Sequence, residues 1–139
     1  MQGRYEIAEL LTALWRLGRS EDDRLPTSHG ILDRALKDCL GDLPEQLRNG
    51  LSFGETGVGL RCYELPEILL AAQEALLTSE PNPTYLSTMV TLDEDTARQI
   101  VLSHGLSTVA ARGIGQRLRE RVNQIRGELA IDPDQPAAA

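Results

Sequence analysis

Aromatic side chains make up only 4% of the 139 residues, and cysteine occurs twice, at Cys39 and Cys62. Two cysteines are too few for a disulfide scaffold or a four-ligand zinc site. No apolar run approaches the ~18–20 residues of a membrane span. Glu6 and Glu9 interrupt the early apolar stretch, which argues against a secretory leader. Among the 14 basic residues only Lys37 is lysine. This is a compositional bias rather than a demand for guanidinium chemistry. Gly54-Glu55-Thr56-Gly57-Val58-Gly59 lacks the spacing and the lysine of a dinucleotide fingerprint or a P-loop. These absences lead to the expectation of a soluble, cytoplasmic protein with no membrane partner, metal or cofactor.

What is present is leucine, 23 times, and alanine, 13 times. Both are strong helix formers, whereas strands favour β-branched and aromatic residues. Hydrophobic residues reach 41%, enough for a core in a chain of one-domain length. Net charge is −7, unevenly spread. Residues 1–96 hold 8 basic and 17 acidic side chains, while 97–128 hold six arginines against Glu120 and Glu128. Such asymmetry bears on partners rather than on fold.

Apolar spacing predicts a helix over 4–17, with Ile7, Leu10, Leu11, Leu14 and Leu17 on one face. Gly18 ends it, and a polar loop follows. Pro26-Thr27-Ser28 offers a cap for a second helix over 29–40. Pro44 starts a short third helix over 44–50. Alternation of Val58, Leu60 and Cys62 with Gly59, Arg61 and Tyr63, after the turn at 54–57, signals a β-hairpin. Residues 66–78 are apolar almost all round, which predicts the central buried helix. Ser79–Pro83 reads as a break or hinge, and 85–91 as a short extended piece. Thr91-Leu92-Asp93-Glu94 has capping-box spacing before a helix over 94–104. Gly105 ends that helix, and Ser107 caps a last one reaching 129. Gly113 and Gly115 predict a kink there, or a start only at 116.

The expected architecture is mostly α with a small β-hairpin, α+β in class. It comprises one compact domain over 1–131, an N-terminal lobe 1–79 and a C-terminal helical hairpin 84–131, with a disordered tail at 132–139. Helix, helix, helix, hairpin over 4–64 resembles a winged-helix module in pattern, without a diagnostic motif. Its third helix sets Arg48 against Glu45 and its wing Arg61 against Glu55, a poor basis for neutralising phosphates. That favours docking of a protein.

The segment 94–121 resembles a helix-turn-helix, because Gly105-Leu106-Ser107 joins two helices and Arg112, Arg117, Arg119 and Arg121 follow. Val101 stands where a small residue is usual, and helix–Gly–Leu–Ser–helix is a common junction. The stripe Ile114, Leu118, Val122, Ile125 and Leu129 suits core packing or a partner helix. The strings Ser28-His29-Gly30-Ile31 and Ser103-His104-Gly105-Leu106 match by coincidence more readily than by duplication. The two cysteines read as small core residues rather than nucleophiles. No acid, base and nucleophile set assembles.

The sequence therefore leads to the expectation of a non-enzymatic protein–protein interaction module. It would be an adaptor, regulatory subunit or dimerisation domain that docks a protein partner or a second copy of itself. Docking would use the C-terminal amphipathic helix and the hairpin, through Arg61, Tyr63, Arg117 and Arg121. The alternative is a DNA-binding transcriptional regulator using Arg112, Arg117, Arg119 and Arg121.

Overall fold

The computed structural model describes residues 3–18, 24–26, 30–57, 59–79 and 87–128. Most of these are helical, and the strands form two small antiparallel pairs, an α+β arrangement. The order is α1 (Arg4–Leu17), β1 (Arg24–Pro26), α2 (Ile31–Asp38), a 3-10 turn (Leu40–Asp42), α3 (Glu45–Gly50), β2 (Phe53–Thr56), β3 (Gly59–Cys62), α4 (Leu65–Glu74), β4 (Ser87–Met89), α5 (Glu94–Ser103) and α6 (Thr108–Glu128). The expected tail at 132–139, the break at 80–83 and the cap at Thr27-Ser28 fall outside the described residues.

The central helix is α1, not α4 as the uniform apolarity of 66–78 predicts. It packs against α3, α4, α5 and α6. Beyond its leucine stripe it also buries Ala8, Thr12, Ala13 and Trp15. Small residues on those flanks admit neighbouring helices on sides that polarity alone assigns to solvent. Thr12 tolerates burial because its hydroxyl donates to the Ala8 carbonyl at 2.7 Å. Arg16 fastens the same helix to the segment before α5, donating from Nε to Leu92 O (2.7 Å) and from Nη2 to Val90 O (2.6 Å).

The last helix runs unbroken from Thr108 to Glu128, passing through Gly113 and Gly115 rather than starting at 116. Gly115 lies against the C-terminal end of α1. A Cβ added there would overlap the Leu14 carbonyl oxygen and sit 2.8 Å from Gly18 Cα. The glycines at 18 and 115 thus let two backbones cross closely. Contact between the helices outweighs the roughly 1 kcal/mol helix penalty of glycine. Ile114, Leu118, Val122 and Ile125 all face the core.

Helices α4 and α5 stop with the same hydrogen-bond pattern. After α5, Gly105 N–H donates to Leu102 O (3.0 Å) and Leu106 N–H to Val101 O (2.9 Å). After α4, Leu76 N–H donates to Gln73 O (3.0 Å) and Leu77 N–H to Ala72 O (2.9 Å). This is the Schellman stop, whose pivotal residue takes a left-handed backbone and is usually glycine. Gly105 has φ 81°, and Leu76 has φ 61°. Helix α4 is therefore shorter than the predicted 66–78. Its tail turns into an extended run, with Thr78 bridging Val90 and Ser79 N–H donating to Met89 O at 2.8 Å.

Strand β1, which lies in the stretch read as loop and cap, pairs with β4 in the register Arg24↔Met89, Leu25↔Thr88, Pro26↔Ser87. The hairpin pairs Phe53↔Cys62 and Thr56↔Gly59. Cys62 N–H donates to Asp33 Oδ1 at 2.7 Å, tying β3 to α2 and giving that buried carboxyl a partner. One cluster of buried apolar residues runs from Ile7 in α1 to Ile125 in α6.

Candidate interaction surface

The arginines of α6 divide by helical position. Arg119 is only 4% exposed. Its Nε donates to Trp15 O at 2.7 Å, and its guanidinium stacks 4.6 Å from the Trp15 ring centroid. Arg126 is buried as well. Arg119 follows the core stripe by one residue at Leu118, so a polar letter falls on the inner face. Its grouping with the exposed arginines is therefore corrected: it belongs to the α1–α6 interface.

Arg112, Arg117 and Arg121 reach the surface, and each meets a carboxylate. Arg121 Nε lies 2.7 Å from Asp38 Oδ2, at the end of α2, and its Nη1 lies 3.6 Å from Glu128 Oε1. The Asp38 hydrogen bond pushes the Arg121 pKa above its ordinary value. Arg117 pairs with Asp42 at 3.7 Å, and Arg112 with Glu94 at 3.2 Å. Arg34 of α2 answers Glu128 at 3.2 Å. The basic segment thus spends its charge on the acidic remainder of the same chain. Single exposed pairs are worth little, about 0–1 kcal/mol, but the neighbouring carboxylates lower the net positive charge that an outside phosphate would meet.

On the hairpin, Tyr63 is well exposed and its ring covers Gly54 across the strands. Arg61 is half-buried: Nη1 donates to its neighbour Leu60 O at 3.0 Å, and the guanidinium packs on Gly30 at the start of α2. Arg61 and Tyr63, two residues apart, share one side of the strand's alternation, but the Arg61 guanidinium is held against Gly30 while Tyr63 stays exposed. Among the described residues no hydrogen bond or ion pair joins either of them to Arg117 or Arg121.

Two features escape the sequence patterns. Val109 is 84% exposed at the start of α6, and Leu102 is 58% exposed near the end of α5. They flank the α5–α6 turn. Beside Val109 lies a shallow cavity of about 380 Å³, lined by Thr108, Val109, Arg112, Gly113 and Gln116. Gly113 deepens it by having no side chain. The available signal was the step from the core positions Ala111 and Ile114 to the opposite face. A second cavity of about 390 Å³, among α1, α3 and α4, has Ile7, Gly50 and Ile68 with Gln46, Asn49, Glu64, Glu67 and Arg4.

Both cysteines are free and buried. Burial pushes the Cys62 thiol up to about 11, despite a hydrogen bond from the backbone at Glu64. Burial first, then Asp42 and Asp38, raises Cys39. Neither is an activated nucleophile. Burial opposes ionisation of Glu64, but the Ser52 hydroxyl and N–H outweigh it and lower its pKa. The Thr96 hydroxyl and N–H hold Asp93 low, as befits a cap of α5. The backbone of His104 ends α5, and its carbonyl accepts from Gln46 Nε2 at 3.1 Å. His29 lies outside the described residues. Among the described residues no group of three metal-ligating side chains occurs, and no helix is long and apolar enough to cross a membrane.

Comparison with protein-family models, with curated proteins and with solved structures gives no match. The surfaces above stand on their own chemistry.

Proposed function

We propose that this chain is a non-enzymatic protein-docking module, an adaptor, regulatory subunit or dimerisation domain. The observation that carries this reading is the closure of the basic face. Arg112, Arg117 and Arg121 each have a carboxylate from another part of the chain, while Val109 and Leu102 stay uncovered at the α5–α6 turn, Val109 beside Arg112. A DNA-binding face needs several free cations, because affinity comes largely from phosphate neutralisation. A protein-binding face needs apolar anchors with a polar rim. The α5–α6 corner suits the second description.

The apolar stripe of α6 serves the core, so docking through this helix uses its outer face. Arg117 and Arg121 form part of the rim, and Tyr63 offers a separate contact on the hairpin. The winged-helix reading of 4–64 draws support from the order α1, β1, α2, α3, β2, β3. Against it, β1 pairs with β4 rather than with the hairpin, and α3 spans only Glu45–Gly50. A six-residue helix is too short to read a groove, which again favours docking over DNA contact.

The test is light-scattering mass across a salt series, with and without mixed-sequence duplex DNA. The expected result is a mass that DNA leaves unchanged, together with self-association that Val109→Glu abolishes or a protein complex that it weakens. A DNA complex that dissociates steeply with salt, and that needs Arg112, Arg117 or Arg121, would overturn the proposal.

A further inference from the structure

We infer that Leu76 is a docking anchor for a basic amphipathic segment of another protein, at a surface separate from the α5–α6 corner. Leu76 occupies the left-handed pivot of the stop after α4, with φ 61°. The same stop after α5 uses Gly105, the residue that takes this backbone without steric cost. A leucine at that pivot is strained. The strain returns nothing to the fold, because Leu76 is 82% exposed while Leu77 beside it is buried. Its backbone is nevertheless held: Leu76 O accepts from Thr91 Oγ1 at 3.3 Å, besides the two bonds of the stop itself. An outward aliphatic side chain on a held backbone is what an interface anchor requires.

Charge says what kind of partner fits. The charged residues of α4 are Glu67 and Glu74, with no lysine or arginine on the helix; Glu94 and Asp95 further along are taken by Arg112 and Arg98, and Arg4 lies over the Tyr5 ring, 5.4 Å from its centroid. Glu67 and Glu74 stand exposed on α4, on which Leu70 is also uncovered. Tyr5 donates its hydroxyl to Glu74 at 3.3 Å, keeping that carboxylate at the surface. Arg16, which approaches this region from α1, is taken up by the carbonyls of Val90 and Leu92. An aliphatic anchor in an acidic field complements leucines flanked by lysine or arginine, in the helix-in-groove or helix-on-face manner. It repels nucleic acid and anionic lipid.

The experiment titrates the full chain with an 18-residue amphipathic helix of leucine and lysine, and with the leucine–glutamate peptide of the same pattern. Calorimetry gives affinity and amide NMR shifts give the site. The expected result is binding of the lysine peptide alone, with shifts centred on residues 70–76. Leu76→Gly should weaken binding at least tenfold while raising Tm by about 2–5 °C, because glycine relieves the backbone. Leu76→Met should retain binding, and Glu74→Lys should reduce it. Four outcomes would overturn the inference: no binding, shifts centred elsewhere, a Leu76→Gly variant that binds normally, or one that melts lower than the parent. Concentration-dependent shifts at Leu76 without peptide would assign the surface to a second copy and overturn the basic partner.

Discussion

At the scale of single residues, Arg119 and Cys62 carry consequences that can be measured. Arg119 stacks on Trp15 and donates to its carbonyl from a position closed to water. Arg119→Ala removes the stack and leaves a buried carbonyl without this donor, so it should cost about 2–4 kcal/mol in urea unfolding. Arg119→Lys keeps the charge but loses the planar face, and should recover only part of that loss. Cys62 bears on alkaline stability. Its thiol ionises near 9.0 in the unfolded chain and near 11 in the fold. Between those values the folded form keeps the proton that the unfolded form has released. Stability contributed by this thiol is therefore complete below pH 9 and falls as pH rises toward 11. Urea midpoints of the parent and Cys62→Ala across pH 8–10.5 should converge as pH rises. In the folded parent, alkylation at pH 8 should be slow at both thiols.

At the scale of elements, the glycines of α6 separate by what lies opposite them. Gly115→Ala places a methyl group against the backbone of α1 and should cost about 2–4 kcal/mol, with a thermal melt several degrees lower. Gly113→Ala meets only Arg117 Nη1, at 3.6 Å, and should stabilise by about 0.5–1 kcal/mol. Sequence could not separate the two, because the helix penalty is the same at both positions and only the crossing partner differs. The elements most legible in sequence were those with strong local signals: the stripe of α1, the start of α5 at Glu94, the second arm of the hairpin and the buried side of α6. The capping box read at Thr91–Glu94 does not form, because Thr91 Oγ1 donates to Leu76 O and Asp93 caps α5, and the turn read at 54–57 is largely strand β2. Strand β1 was not legible, since three residues with a proline have no period, and their pairing with β4 is set by tertiary contact. The early end of α4 was hidden for a related reason: Leu76 carries no glycine signal, yet it takes the glycine conformation. At the candidate surface, arginine content was legible but arginine partners were not. Asp38 and Asp42 stand some eighty positions from the side chains they neutralise.

At the scale of the whole molecule, α1 is the hub on which α3, α4, α5 and α6 converge. Amides of α1 between Leu10 and Trp15 should exchange hydrogen only through global unfolding, slower than those of the hairpin or of the last turn of α6. Native-state exchange followed by NMR or mass spectrometry checks this ranking; faster exchange in α1 than in α4 would contradict the hub. The surface ion pairs between α2 and α6 should matter little to this rigidity. Raising the salt to 1 M should lower the melting temperature by only a degree or two, because the same helices already share buried leucines and isoleucines.

The hub has a bearing on the order in which the chain acquires its structure. The helix made early is the one whose covering partners arrive late. The Arg119 guanidinium that closes over Trp15 is encoded 104 positions downstream. During synthesis at roughly 5–20 residues per second, α1 waits for several seconds with its leucines unshielded. High separation between contacting segments also slows folding once the chain is released. A ribosome-bound intermediate ending before α6 should therefore be sticky, susceptible to protease and dependent on chaperones, and should become resistant only as the last helix clears the exit tunnel.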